Sequence, residues 1–144
     1  EFERELARAD RSGAPMCAVL LDMDHFKAFN DDHGHQAGDE HLRTAGQLWR
    51  ERLRGTDLIA RYGGEEFAIV LTATTLQRAK EVVDGLREAV PGGETVSAGI
   101  AQWDGSESGA ELIARADRAL YEAKRTGRDR SVALAVDSEP VAAS

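Results

Sequence analysis

The sequence predicts a mixed α/β (α+β) fold: a central, mainly antiparallel sheet of about five strands flanked by helices. Three observations carry this expectation. Short apolar runs of strand length recur along the chain. Between them lie stretches whose apolar residues return every three or four positions, the signature of helices with one buried face. A Gly-Gly pair at 63–64 separates two of the strand-like runs, as in a β-hairpin.

In chain order, Phe2 and Leu6 stand four apart and predict a short amphipathic helix over 2–10, broken by Gly13-Ala14-Pro15. Met16 to Leu21 is an unbroken apolar run, which suits a strand buried on both faces. A short helix follows from His25 to about His33, ending in the polar stretch Asp31-Asp32-His33-Gly34-His35. A second helix is expected to begin near Asp39, with Leu42, Ala45, Leu48, Trp49 and Leu53 on its buried face. Ile59–Tyr62 and Phe67–Leu71 are the arms of the hairpin. Thr74 with Gln77 reads as a capping box before the stripe Leu76, Ala79, Val82, Val83 and Leu86, which Pro91-Gly92-Gly93 ends. Thr95 to Trp103 reads as a strand. Ser108 with Glu111 forms a second capping box before Leu112, Ile113, Ala116, Leu120 and Ala123. A last strand is expected over 131–136. The domain is thus read as residues 1–136, and residues 137–144, small, polar and proline-containing, as a disordered tail.

The chain has 144 residues, enough for one two-layer core. Its net charge is −8, which argues against a nucleic-acid partner and requires metal ions to offset repulsion if a phosphorylated small molecule binds. The single cysteine, Cys17, lies within an apolar run and reads as a buried hydrophobe. With no disulfide framework inside the chain, a cytoplasmic setting is expected. No apolar run has the length of a membrane span and no signal peptide is evident, so no membrane contact by this domain is expected. The opening residues look like the middle of a helix already under way, as in a fragment of a parent that carries sensory, regulatory or membrane-anchored domains.

Acidic residues gather at two points. Asp22 and Asp24 stand where the first apolar run ends, on one face of an extended chain. Glu65 and Glu66 follow the hairpin glycines. Carboxylates at the exit of a buried strand are unfavourable unless something positive joins them, and magnesium takes carboxylate and phosphate oxygens. The competing account makes Asp22 and Asp24 a helix N-cap and a solvated turn acid. A calcium EF-hand fails on position, because Lys27 stands where its loop needs glycine. The four histidines lack cysteine partners and zinc-ligand spacing.

Taken together, five ordered blocks resemble the GGDEF family of diguanylate cyclases. They are Asp22-Met23-Asp24-His25-Phe26-Lys27-Ala28-Phe29-Asn30-Asp31 with Gly34-His35-Gln36-Ala37-Gly38-Asp39; Arg61-Tyr62-Gly63-Gly64-Glu65-Glu66-Phe67, the GGEEF variant; Thr95 to Ile100; Ala116 to Tyr121; and Ala123 to Arg128. The resemblance spans about residues 2–133. It implies a nucleotidyl-cyclase, palm-like fold and the Mg2+-dependent joining of two GTP molecules into cyclic di-GMP, with Mn2+ as an alternative ion.

The same resemblance implies residue roles. Asp22, Glu65 and the backbone carbonyl of Met23 would hold the metal, and Glu66 would assist metal binding or deprotonation. Asn30 and Asp39 would read guanine; a carboxylate accepts from both N1–H and the exocyclic amine, a donor pair that adenine lacks. Gly64 would allow close approach of the nucleotide. The helix start at Phe26 and Lys27, with the side chains of Lys124 and Arg128, would meet phosphates. Arg54-Gly55-Thr56-Asp57 matches RxxD, an inhibitory site for the product. Blander accounts stand beside several of these: an exposed hairpin acid for Glu66, a tight turn for Gly64, an N-cap for Asp39, helix-end cations for Lys124 and Arg128, and a solvated pair for Arg54 and Asp57. Two departures are visible. The family's DxLTGLxNR-like leader is missing, and Arg128-Asp129 stands where Arg-Asn is commoner. A homodimer is implied for catalysis. A receptor that only binds GTP or cyclic di-GMP, and an unrelated palm-type nucleotidyl transferase, are the competing functions.

Overall fold

The computed structural model describes residues 2–135. Its elements are α1 (Phe2–Ser12), β1 (Met16–Met23), α2 (Phe26–His33), α3 (His35–Arg52), β2 (Leu58–Arg61), β3 (Glu66–Thr72), α4 (Leu76–Glu88), β4 (Val96–Gln102), α5 (Gly109–Arg125) and β5 (Ser131–Leu134). The strands form one sheet in the order β2-β3-β1-β4-β5. Every pairing is antiparallel except β4 with β5, which is parallel. This is the mixed, mainly antiparallel sheet that the sequence predicts.

β1 lies at the centre and all eight of its residues are buried, as its unbroken apolar run requires. Its side chains alternate between two cores. Cys17, Val19, Leu21 and Met23 pack with Phe26 of α2, Leu42, Ala45 and Trp49 of α3, and Ala79, Val83 and Leu86 of α4. Met16, Ala18 and Leu20 pack with Leu6 and Ala9 of α1 and with Leu112, Ala116 and Leu120 of α5. The chain is therefore a sheet between two helical layers. The Trp49 indole N–H donates to the Leu86 carbonyl at 2.8 Å and so ties α3 to α4. Cys17 is buried, and desolvation pushes its thiol up to about 12, in keeping with an inert packing role.

Some boundaries differ from expectation. α3 starts at His35 rather than near Asp39, because Gly34 alone makes the break: its φ of 93° ends α2 and its carbonyl opens α3 by accepting from the Gly38 N–H. Thr74 and Gln77 do not form a capping box. Thr75 is the N-cap of α4, accepting from the Arg78 N–H at 3.3 Å, while the buried Thr74 hydroxyl donates to the Thr72 carbonyl. The box of Ser108 and Glu111 at α5 is complete. β5 ends at Leu134; Val136 and the expected tail lie outside the described residues.

Gly99 of β4 sets how closely α5 lies on the sheet. A Cβ at this position would overlap the backbone of Ala116 and Leu120, which cannot swing aside as a side chain can. Gly99→Ala is expected to destabilise the domain by about 2–4 kcal/mol. Gly85→Ala, on the exposed side of α4 with open space around it, is expected to be neutral or to stabilise by up to about 1 kcal/mol. Urea denaturation of both variants checks the contrast.

Candidate active site

The close seating of α5 brings Lys124, in its last turn, onto Asp22 at the end of β1. The ammonium pairs with Asp22 Oδ2, and the Asp22 side chain is only 5% exposed. Asp22 Oδ1 is buried with no hydrogen-bond partner. Across the sheet Asp22 faces Glu66 of β3 in register. Glu65 stands just before β3 in the hairpin turn, near enough for the Asp22 charge to bear on its carboxyl. The sequence-predicted acids Asp22, Glu65 and Glu66 are thus brought together from two adjacent strands.

Their electrostatics follow from that crowding. Burial, then the Asp22 charge, raises the Glu65 carboxyl above its usual value, and Lys124 offsets part of the effect. Glu66 is raised by burial, then by Asp22, with further contributions from Asp117 and Glu65, again against Lys124. Asp117 was assigned no role by sequence reasoning, although its seven-residue spacing from Lys124 places both on one face of α5. Among the described residues no three His, Cys, Asp or Glu side chains form a ready-made metal cage. Magnesium does not need one, since it shares one or two carboxylates with substrate phosphates and water. A hard cation fits the unpartnered Asp22 oxygen and the protonation-prone Glu65 and Glu66. Met23 has its side chain buried in the core, which leaves only its backbone for such a role.

Asp24 behaves differently from Asp22. Its carboxylate is taken up inside the protein by the hydroxyls of Ser97 and Thr95 and by the Asp129 N–H. The two acids of the motif therefore do not form one cation pair.

The other candidates lie on α2, α3, the hairpin turn and the segment after α5. α2 starts after His25, whose φ is 57° and whose side chain provides no cap. The first-turn N–H groups of Phe26 and Lys27 therefore have no intrahelical acceptor. The Phe26 side chain is in the core, and Lys27 is solvated 3.8 Å from Asp31. Asn30 is half-buried; its Oδ1 has no hydrogen-bond partner and presses on Gly38, where a Cβ would overlap it. Asp39 is exposed within α3, whose N-cap is Gly34, so Asp39 is not a cap. Gly64 has open space on its Cα, and its carbonyl accepts from Arg61 at 2.5 Å. Arg128 is exposed beyond the end of α5 with a φ of 63°.

Arg54 and Asp57 form a separate unit at the other end of β3, about 20 Å from Glu66 by the rise of a strand. Asp57, 3% exposed in its side chain, takes the Arg54 guanidinium at 3.0 and 3.2 Å, the Arg54 N–H and the Thr72 N–H. Arg54 also donates to the Thr72 carbonyl and the Thr74 hydroxyl while remaining half exposed.

The raised carboxyls have a consequence for stability. Glu65 and Glu66 hold their protons more tightly folded than unfolded, so they favour the fold below about pH 4.5, the ordinary glutamate value, and disfavour it once pH rises past their folded values. In chelator at neutral pH, Glu65→Gln or Glu66→Gln is expected to raise stability by up to about 1 kcal/mol, because both sites are partly solvated and screened. The gain should vanish near pH 4, which thermal unfolding across pH reads directly.

Comparison with known proteins agrees with this geometry. The family described as "Diguanylate cyclase, GGDEF domain" matches residues 1–130. Diguanylate cyclase DgcP of Pseudomonas aeruginosa is 48% identical over 140 residues, which is 90% of this chain and 21% of that protein. Diguanylate cyclase DosC of Escherichia coli K12 is 40% identical over 140 residues, 90% of this chain and 30% of that protein. The chain thus spans less than a third of the length of these relatives. The crystal structure of the GGDEF domain of DgcB from Caulobacter crescentus, in complex with c-di-GMP, superposes with a TM-score of 0.85 at 35% identity, covering 92% of this chain and 85% of that one. With the family matched over nearly its whole length, the fold shared and the signature acids gathered at one place, the chain belongs to the GGDEF diguanylate-cyclase domain family.

Proposed function

We propose that this domain is a magnesium-dependent diguanylate cyclase that condenses two GTP into cyclic di-GMP and two pyrophosphates. The observation that carries the reading is the convergence of Asp22, Glu65 and Glu66 beside the uncapped start of α2, with an Asp22 oxygen left unpartnered. Its relatives' names support the same activity. Asp22, Glu65 and the Met23 carbonyl would hold Mg2+, or Mn2+ in its place. When bound, the ion would supply charge neutralisation for attack of a 3′-hydroxyl on the triphosphate.

The chain's own groups do the remainder. Lys124 exchanges Asp22 for a phosphate oxygen when substrate arrives, and Arg128 and the N–H groups of Phe26 and Lys27 take others. Asn30 and Asp39 hydrogen-bond guanine, and Gly64 leaves room for the nucleotide. Glu66 accepts the proton of the attacking hydroxyl; the burial and crowding that raise its carboxyl make it a stronger base for that step. In each condensation a 3′-oxygen bonds to the α-phosphorus of the other GTP, the bond to pyrophosphate breaks, and one proton is lost. Each domain offers one nucleotide site, so two copies meet face to face and the reaction needs at least a transient homodimer. Phosphoryl transfer asks mainly for this alignment and charge neutralisation.

We read the domain as residues 1–136 of a longer cytoplasmic parent that carries sensory or regulatory domains. No helix among the described residues is long and apolar enough to cross a membrane. Arg54 and Asp57 are read as the inhibitory product site. The half-exposed Arg54 guanidinium forks onto cyclic di-GMP, and Asp57 holds it in orientation.

Incubation with GTP and magnesium, followed by mass spectrometry, is expected to yield cyclic di-GMP with specific activity that rises with enzyme concentration. Glu65→Ala is expected to reduce turnover at least about 100-fold; conversion that survives this change would remove the metal assignment. Arg54→Ala is expected to lose product retention while leaving turnover at low product concentration in place.

A further inference from the structure

The Asp24 carboxylate has no part in the proposed chemistry, yet it is thoroughly bonded. Asp24 is 4% exposed. Oδ1 accepts from the Ser97 hydroxyl at 2.6 Å, and Oδ2 accepts from the Thr95 hydroxyl at 2.7 Å and the Asp129 N–H at 3.0 Å. The Asp24 N–H in turn donates to the Thr95 carbonyl at 3.0 Å. One side chain thereby joins the end of β1, the start of β4 and the loop between α5 and β5.

That loop, residues 126–130, contains two consecutive non-glycine residues in left-handed conformation, Arg128 at φ 63° and Asp129 at φ 49°. L-residues adopt this backbone in succession only where their surroundings hold them there. Contacts at both residues do so. The Arg128 N–H reaches the Ala123 carbonyl at 2.9 Å and its carbonyl accepts from Arg130 Nε at 3.0 Å, while the Asp129 N–H reaches Asp24 and the Asp129 carboxylate takes Arg87 at 2.9 Å. The Arg130 carbonyl in turn accepts from the Ala98 N–H of β4 at 2.9 Å. Arg87 is itself 13% exposed and fixed by the Val96 carbonyl and Asp84, both at 2.9 Å. The Arg128 side chain, by contrast, is exposed and carries no ion pair or side-chain hydrogen bond among the described residues. The loop's backbone is held while the Arg128 guanidinium faces solvent.

We propose that Asp24 is a positioning residue for triphosphate binding: it clamps the α5–β5 loop to the ends of β1 and β4, so that Arg128, and Lys124 one turn earlier, present their charges beside Asp22. The proposal rests on the reading of the site as a GTP site. It also explains why Asp129 is accommodated where the family more often has Asn, since its carboxylate gains Arg87 as a partner. The clamp depends on acceptor geometry rather than on charge. An asparagine at this position can accept from Thr95 and Asp129 through its oxygen and donate to the Ser97 hydroxyl through its amide. A carboxylate that neutralises a cation would lose its charge in the same change.

Two measurements on the purified domain with magnesium test the proposal. Amide hydrogen exchange across residues 127–130 reads the clamp. Calorimetric affinity for a GTP analogue with a methylene between the α- and β-phosphorus reads the positioning. Asp24→Ala, which removes all three bonds, is expected to speed loop exchange and to weaken the analogue by about tenfold each. Asp24→Asn is expected to stay within about twofold of wild type in both, because its bonds persist. Unchanged loop exchange in Asp24→Ala overturns the proposal, as does a loosened loop with unchanged analogue affinity, or an Asp24→Asn variant as impaired as Asp24→Ala. A wild-type domain that binds no analogue overturns the proposal together with the cyclase reading. Wild type and Asp24→Ala binding equally well overturn the proposal alone. Should Asp24→Ala not fold, Ser97→Ala removes one of the three bonds, and the same two readouts are expected to move together by about threefold.

Discussion

Carboxylates crowded at one end of a sheet repel one another, and the rest of this domain is organised around tolerating that repulsion. Asp22 and Glu66 are cross-strand partners, and Glu65 leans in from the turn. Like charges facing across a sheet are unfavourable, the more so where burial strips water from them. Among the described residues the cation that answers them comes from another layer: Lys124 reaches Asp22 because α5 lies almost on the backbone of β4 at Gly99. The missing side chain at residue 99 is therefore an electrostatic feature as much as a packing one. A bulkier residue there would lift the helix and withdraw the charge.

The arrangement also separates two jobs between acids that look alike in sequence. Asp22 retains an oxygen with nothing to bond, a state a folded interior normally avoids. Asp24, two residues on, has both carboxylate oxygens engaged. One carboxylate keeps an unpartnered oxygen, and the other ties three segments of the chain together. The RxxD unit follows a similar division, with Asp57 committed to holding Arg54 and Arg54 left half open to solvent.

Much of this was legible in the residue pattern. The unbroken run at 16–21 has the composition of a doubly buried strand, and the glycine pair at 63–64 marks a hairpin that puts Glu65 and Glu66 at the strand's start. The Ser108 cap could be named in advance because both halves of the box lie within one turn of helix. What was not legible depended on contacts between distant segments. Thr74 has the local look of a cap, but Arg54 and the Thr72 carbonyl recruit its hydroxyl, and Thr75 takes the position. The start of α3 was misplaced because Gly34 alone reverses the chain and the polar residues after it are content on an exposed helical turn. The division between Asp22 and Asp24 was hidden for the same reason: the partners of Asp24 lie more than seventy residues away along the chain.

The fit of Asn30 against Gly38 bears on how variation in such domains is interpreted. The amide occupies space that any side chain at residue 38 would claim, so these two positions cannot drift independently. A methyl group added on α3, at a site too enclosed to meet a nucleotide, would displace the residue proposed to read the base. Such a change would surface in an assay as altered nucleobase preference while every base-contacting residue remained intact. Inventories of ligand-touching side chains would then miss the origin of the phenotype, which lies one layer behind them.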